Sequence, residues 1–411
     1  MIEKYHRIPL LLLVILAAAL AVSLYAIGAS FLAEPIHIGA INLGKSVGAL
    51  AKDALFAPLK PLMYALIIMS IGSSLAISHG GLGAKFVRVF IFFLSFSIIG
   101  GIIAITGFSL FSNINVLADP ATLGGVTDIE IKQIPYAVKL YGVLTSELMF
   151  SIYAGVLFGG ALRRLGLGEK ADAISDLFMR GFRQFLQFSI PLAVFGSITL
   201  ALNAPGGAAS LKGLIPFVGI YLTTFTTVWI IMLGVTALVL RKNLAFVFRA
   251  VFPQAVVAMS TSSSIATLPA TKLACDQLGA SGDESTPFFT IGATINMVGT
   301  LMGLTLLSLY AMSSYGLDVS LIDRIVVALQ SLIYSVSAAG VPSASVVLLQ
   351  EILTSQGVSA SYAAYVTGII ITIDTLILDR LRTALNTQSD SMSTAMGLKV
   401  YYKKPAILAE G

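Results

Sequence analysis

The sequence predicts an all-α polytopic membrane protein, and three observations carry that prediction. Of its 411 residues, 57% are hydrophobic and only 11% charged, where a soluble domain has about a quarter charged. Mean hydropathy is +0.92. Apolar runs recur along the chain at bilayer length, about 20 residues of helix each. The same composition excludes other classes. The lone Cys275 and the scattered His6, His37 and His79 give no disulfide framework and no thiolate or imidazole metal site. No residue set suggests redox or hydrolytic chemistry, so the chain does not read as an enzyme. The net charge of +5 does not imply nucleic acid, because cytoplasmic loops of membrane proteins are enriched in Lys and Arg.

The first apolar run, IPLLLLVILAAALAVSLYAIGASFL after MIEKYHR, is too long for the h-region of a signal peptide and reads as the first membrane helix. In order, helices are expected near 8–32, 45–78, 86–111, 140–162, 176–203, 213–240, 286–312 and 360–390. Eight spans return the C-terminus to the starting side. Lys4 and Arg7, Lys85 and Arg88, Arg163 to Arg183, Arg241 to Arg249, and Lys399 to Lys404 fall on alternate connections. Both termini are therefore expected in the cytoplasm, in an inner or plasma membrane. Apart from a polar segment near 112–138 the loops are short, so 1–411 reads as a single domain.

Segments 245–279 and 321–356 fit the helix pattern poorly. The first is interrupted by Ser260 to Ser264 and Pro269, the second by Gly340-Val341-Pro342. Proline removes a backbone donor, and Ser or Thr competes for backbone bonds, so each reads as a helical hairpin. Two Ser- and Gly-rich helices packed closely on neighbours are the plainer alternative. Irregular backbone at membrane depth is tolerated where it is buried or lines a cavity, and interrupted segments point to a transporter's binding site. Between them, Gly292, Asn296 and Thr300 are spaced by four, and Gly292 and Gly299 permit unwinding or close approach.

The C-terminal stretch 372–390, TIDTLILDRLRTALNTQSD, carries the most chemistry. At about 100° per residue, Asp379, Arg382, Thr383, Asn386 and Asp390 form one polar stripe, with Arg380 off it and Asp374 nearly opposite. Charges at membrane depth are expensive and usually paired for a purpose. The alternative is a span ending near Leu378 followed by a solvated tail.

The motifs SSSIATLP (262–269), GATINMVGT (292–300), AAGVP (338–342) and LDRLRTALNTQSD (378–390) resemble, in order and spacing, those of the dicarboxylate/amino acid:cation symporters. That family includes the glutamate transporters and archaeal aspartate-transporting relatives, and PLAVF (191–195) fits it as well. The N-terminal half matches mainly in hydropathy. The resemblance implies the glutamate-transporter fold, with eight transmembrane helices and two re-entrant hairpins, assembled as a homotrimer. A scaffold within 1–78 and 140–203 would hold a transport core within 86–111 and 213–400 that slides like an elevator. The implied substrate ligands are Arg382 for a side-chain carboxylate and Asp379 for the ammonium. Thr300, Thr383 and Asn386 would add polar contacts, and the hairpin tips near Ser263, Ser264 and Val341 would hold the α-carboxylate. One implied sodium site comprises Asp390, Asn386 and carbonyls near Gly292 and Asn296. The other uses backbone oxygens around Thr294, Ser335 and Val336.

Departures from the family pattern modify this expectation. The family's NMDGT is NMVGT, so Val298 replaces a carboxylate that helps hold a further sodium ion. FFLSFS (92–97) retains Ser97 but lacks the tyrosine that completes that site. Leu304 stands where some members carry a carboxylate, VPSAS replaces a glycine-richer VPGAG, and an extra residue separates Asp374 from Asp379. The expected function is a secondary active symporter of glutamate or aspartate, coupled to fewer sodium ions than usual or to protons, with no cofactor. A C4-dicarboxylate or neutral amino acid carrier, and a degenerate sensor or channel, are the alternatives. A serine nucleophile is disfavoured because no His or Lys stands beside the serine run.

Overall fold

A chain in lipid must pair its backbone groups within each segment, and helix does so without a partner. The computed structural model describes residues 10–38, 41–77, 83–114, 134–203, 207–280, 284–336 and 344–399, and the chain is helical through almost all of these. In order, α1 is Leu10–Ala26, α2 Val47–Ile77, α3 Gly83–Phe111, α4 Tyr136–Leu144, α5 Glu147–Arg164, α6 Gly168–Asn203 and α7 Gly207–Leu240. Next come α8 Leu244–Thr261, α9 Ser264–Leu278, α10 Thr286–Ile295, α11 Val298–Ser314, α12 Leu321–Ser335 and α13 Ala344–Ser355. The chain closes with α14 Ala360–Ile373, a π turn Asp374–Leu378, and α15 Asp379–Lys399.

Among the described residues, seven helical segments are long and apolar enough to cross a membrane, with α1 and Pro61–Ser73 apolar but shorter. One element was absent from the sequence reading. An antiparallel pair, β1 Pro35–Ile38 and β2 Ile41–Ser46, joins α1 to α2, in register His37↔Asn42. The expected span near 140–162 is divided: Ser146 caps α5 by accepting from Met149 N at 3.2 Å, so α4 ends before it.

The first interrupted segment is broken at its serine run, whereas Pro269, expected to interrupt it too, lies inside α9. After α8, Ser262 takes the left-handed conformation at φ 49°, and Ser263 caps α9 through Ala266 N. The second break, which includes Val341, lies outside the described residues. The glycine-flanked stretch also unwinds as expected. Helix stops at Ile295, Asn296 and Met297 adopt non-helical dihedrals, and α11 starts at Val298.

Most of the packing falls into two sets of helices, joined where α14 and α7 lie against α6. α2 lies along α5 and α6, with α1 on α6, and at the α2–α6 crossing Gly48 and Gly196 bring the backbones together. Around α15 are gathered α3, α8, α9 and α11, and α11 also packs on α12 and α13. α11 and α15 hold the buried centre: every residue from Val298 to Met312 is buried, as are the polar residues Thr387 to Ser391 of α15. The solvated-tail reading of this stretch is excluded by that burial.

Candidate functional site

The polar stripe predicted on α15 is a buried cluster at the meeting of α11, α13 and α15. Arg382 is 1% exposed. Its Nη1 donates to Asp374 Oδ1 at 2.6 Å, and its Nη2 donates to Ser345 Oγ of α13 at 2.6 Å and to Asp379 Oδ1 at 3.0 Å. A guanidinium at this depth needs such partners, since an unpaired buried charge is several kcal/mol out of place. Its planar fork meets them from different sides.

Asp374 corrects the sequence reading. On a uniform α-helix, five residues turn through about 500°, which puts Asp374 about 140° from Asp379. The segment between them is a π turn, Asp374–Leu378, whose i→i+5 bonds bring residues five apart to nearly the same face. The extra residue visible in the sequence is absorbed there, and Asp374, 0% exposed, pairs with Arg382. The five-residue spacing was the available signal. Ser345, the last residue of VPSAS, was also missed as a partner; the sequence showed the departure from glycine but not the return of the hairpin arm.

Lower on the same face, Asn386 joins α15 to the unwound start of α11. Its Oδ1 accepts from Gly299 N at 2.7 Å and Thr300 N at 3.3 Å, and its Nδ2 donates to Thr300 Oγ1 at 3.0 Å. Two orphan amides of a helix N-terminus are satisfied by one side chain. Gly299 is required for this approach, because a Cβ there would lie 2.5 Å from Arg382 O. Thr383 turns its hydroxyl onto Asp379 O at 2.8 Å.

One turn further, Asn296 Nδ2 donates to Asp390 Oδ1 at 2.8 Å and to Ser389 Oγ at 2.8 Å. Among the described residues, Asp390 Oδ2 and Asn296 Oδ1 are buried without a hydrogen-bond partner. A Cβ on Gly292 would lie 2.6 Å from Asp390 Oδ1, so the glycine keeps this oxygen clear. Two unpartnered buried oxygens beside unwound backbone are the donor set a hard cation prefers. Asn386, expected in the same set, spends its oxygen on the α11 amides instead.

The residues expected around the second cation site lie at helix ends. Thr294 Oγ1 donates to Ile291 O and Ser335 Oγ to Leu332 O, each at 2.8 Å, while Val336 ends α12. Ser263 and Ser264 are buried at the start of α9, where Arg183 of α6 donates to Ser263 Oγ at 3.3 Å. Arg380, beside the stripe, donates to Met259 O at 2.6 Å and to Ser260 O, capping the end of α8. Val298 is fully buried, and its Cγ1 would lie 3.1 Å from a Cβ on Gly100 of α3. Apolar packing fills that position.

The chain matches the family model described as "Sodium:dicarboxylate symporter family" over residues 10–399. Among curated proteins it is 27% identical over 253 residues to the serine/threonine transporter SstT of Streptococcus thermophilus, in strains CNRZ 1066 and LMG 18311 alike. Each match covers 61% of this chain and 62% of the relative.

Proposed function

We propose, for a chain that belongs to the sodium:dicarboxylate symporter family, that it carries an acidic amino acid, glutamate or aspartate, across the membrane together with a cation. The observation that carries this reading is the Asp379–Arg382 pair, 3.0 Å apart on one buried face with Arg382 1% exposed. A substrate with an ammonium and a side-chain carboxylate divides that pair: the ammonium takes Asp379, and the carboxylate takes the guanidinium fork, which suits bidentate binding. The exchange conserves charge, which matters at this depth. Asn386, Thr300 and Thr383 border the same space. The α-carboxylate goes to the hairpin tips, at Ser263 and Ser264 on one side and Val341 on the other.

Asp390 with the Asn296 side-chain oxygen and the carbonyls near Gly292 holds the coupling ion, sodium being the first choice and a proton on Asp390 the second. Backbone around Thr294, Ser335 and Val336 supplies the other site. With Val298 packed against α3, a third site has no carboxylate, so the carrier runs on fewer sodium ions. Coupling follows when the hairpin closes only with substrate and ion both bound, or both absent, a linkage between the two sites. The set α1, α2, α5 and α6 serves as the scaffold of a homotrimer, and the remainder as the moving core of an elevator. Both termini face the cytoplasm of an inner or plasma membrane.

A second reading is a small neutral hydroxy amino acid. Asp374 and Ser345 already occupy Arg382, and the relatives named above are serine/threonine transporters. A C4-dicarboxylate offers no ammonium to Asp379. The discriminating experiment is competition against radiolabelled aspartate uptake in proteoliposomes by glutamate, serine, threonine and succinate. Inhibition by glutamate alone supports the acidic reading. Inhibition by serine and threonine, with uptake of labelled serine exceeding that of aspartate, replaces it with the neutral one.

A further inference from the structure

Behind Arg382 stands a side chain that the stripe on α15 does not include. Tyr221 of α7 is 0% exposed, and its ring is walled by aromatics. Phe217 lies 6.1 Å from it, Tyr310 packs on Phe217 at 5.8 Å, and Phe108 packs on Tyr310 at 5.1 Å. The Tyr221 hydroxyl faces the space left by Gly303 of α11. A Cβ on Gly303 would lie 2.9 Å from Tyr221 Oη and 2.8 Å from Arg382 Cδ. The phenol and the arginine stem meet at one point.

Among the described residues the buried hydroxyl has no hydrogen-bond partner, and it lies beside the stem of Arg382 across the Gly303 gap. A buried hydroxyl with no partner is destabilising relative to phenylalanine, which would fill the same wall. Its place beside the Arg382 stem, whose Cδ carries the Nε–H, supplies the reason to keep it. Arg382 Nη1 is held by Asp374, and Nη2 is shared by Ser345 and Asp379. When a carboxylate displaces Asp379 from the fork, the guanidinium plane needs a second fixed acceptor on its far edge, because bidentate binding depends on that plane.

We infer that Tyr221 is a positioning residue for Arg382: its hydroxyl accepts the Nε–H and sets the guanidinium plane for a substrate carboxylate. This rests on the reading of Arg382 as the carboxylate ligand. It makes Tyr221 a determinant of acidic against neutral substrates, although it touches neither.

The test uses the full chain in proteoliposomes, as wild type, Tyr221→Phe, Arg382→Ala and the double variant, with KM for aspartate and an inhibition constant for serine. Tyr221→Phe should raise the aspartate KM about tenfold, the effect of one hydrogen bond to a charged group. It should leave the serine constant unchanged and add nothing in the Arg382→Ala background. Its melting temperature should equal or exceed that of wild type. An equal shift for both ligands, a change in Vmax alone, a lowered melting temperature, or an effect that persists without Arg382 would overturn the inference. If Arg382→Ala raises the aspartate KM and Tyr221→Phe does not, only the inference on Tyr221 falls. If Arg382→Ala leaves aspartate uptake unchanged, or wild type takes up none, the carboxylate reading falls and the inference with it.

Discussion

Replacing Arg382 with methionine removes the cation that two carboxylates share, and the structure says where the penalty lands. Asp374 has a side-chain exposure of 0% and lies 2.6 Å from Nη1, whereas Asp379 keeps 11% exposure at 3.0 Å. Asp374 therefore loses its only ion-pair partner among the described residues with no access to water, while Asp379 retains some. Removing one partner of a buried pair costs about 3–5 kcal/mol, mostly from the charge left behind. Arg382→Met should fall in that range. Arg382→Met combined with Asp374→Asn removes both members, and an uncharged amide is far cheaper to bury, so about 1–3 kcal/mol should return as coupling between the sites. Thermal unfolding in detergent of wild type, both singles and the double gives the cycle. A single Arg382→Met variant as stable as wild type, or a double variant that loses the sum of both singles, would refute the assignment of a buried Asp374–Arg382 pair.

Three further expectations follow from geometry at other points. Asp390→Asn keeps the shape beside Asn296 and removes the charge of the unpartnered Oδ2, so the sodium concentration giving half-maximal uptake should rise at least about tenfold; unchanged sodium activation would move the ion elsewhere. Gly299→Ala puts a Cβ 2.5 Å from Arg382 O, forcing α11 off α15 at a cost of about 1–3 kcal/mol, and a variant with wild-type melting and wild-type aspartate KM would contradict the required approach. At the start of α12, burial pushes the Asp323 carboxyl up, but Ser320 and Lys139, the latter at 2.9 Å, pull it further down, so it lies below its ordinary value. A lowered pKa stabilises above the ordinary carboxylate value and is lost only as the pH falls through the depressed one. This corner should thus be insensitive to pH near neutrality, and Lys139→Met should move its acid melting transition to higher pH; coincident melting profiles of the two proteins would contradict it.

The sequence was most legible where periodicity and chemistry agreed. Gly292 and Gly299 indicated an unwound stretch, and the chain unwinds between them at Asn296 and Met297. The stripe from Asp379 to Asp390 assembles on one face because α15 is regular throughout. Asp374 leaves the position that a uniform 100° step assigns it because the chain passes through a π turn that only the backbone reveals. Ser345 and Tyr221 were illegible for another reason: their proximity to Arg382 comes from packing between helices distant in sequence, and neither residue type stands out alone. The strand pair at 35–46 has no alternation strong enough to declare itself. Val298 was read as a lost carboxylate, and its packing on Gly100 gives that absence a physical form.

On the proposed reading, Arg382 draws an acidic amino acid into a cation-driven carrier. Radiolabelled aspartate uptake into proteoliposomes, with an inward sodium gradient imposed and then collapsed, tests it for wild type and Arg382→Ala. Uptake that accumulates only with the gradient and disappears in the variant is the predicted result. Sodium-driven aspartate uptake that survives in Arg382→Ala, or aspartate uptake indifferent to both sodium and proton gradients, would contradict it.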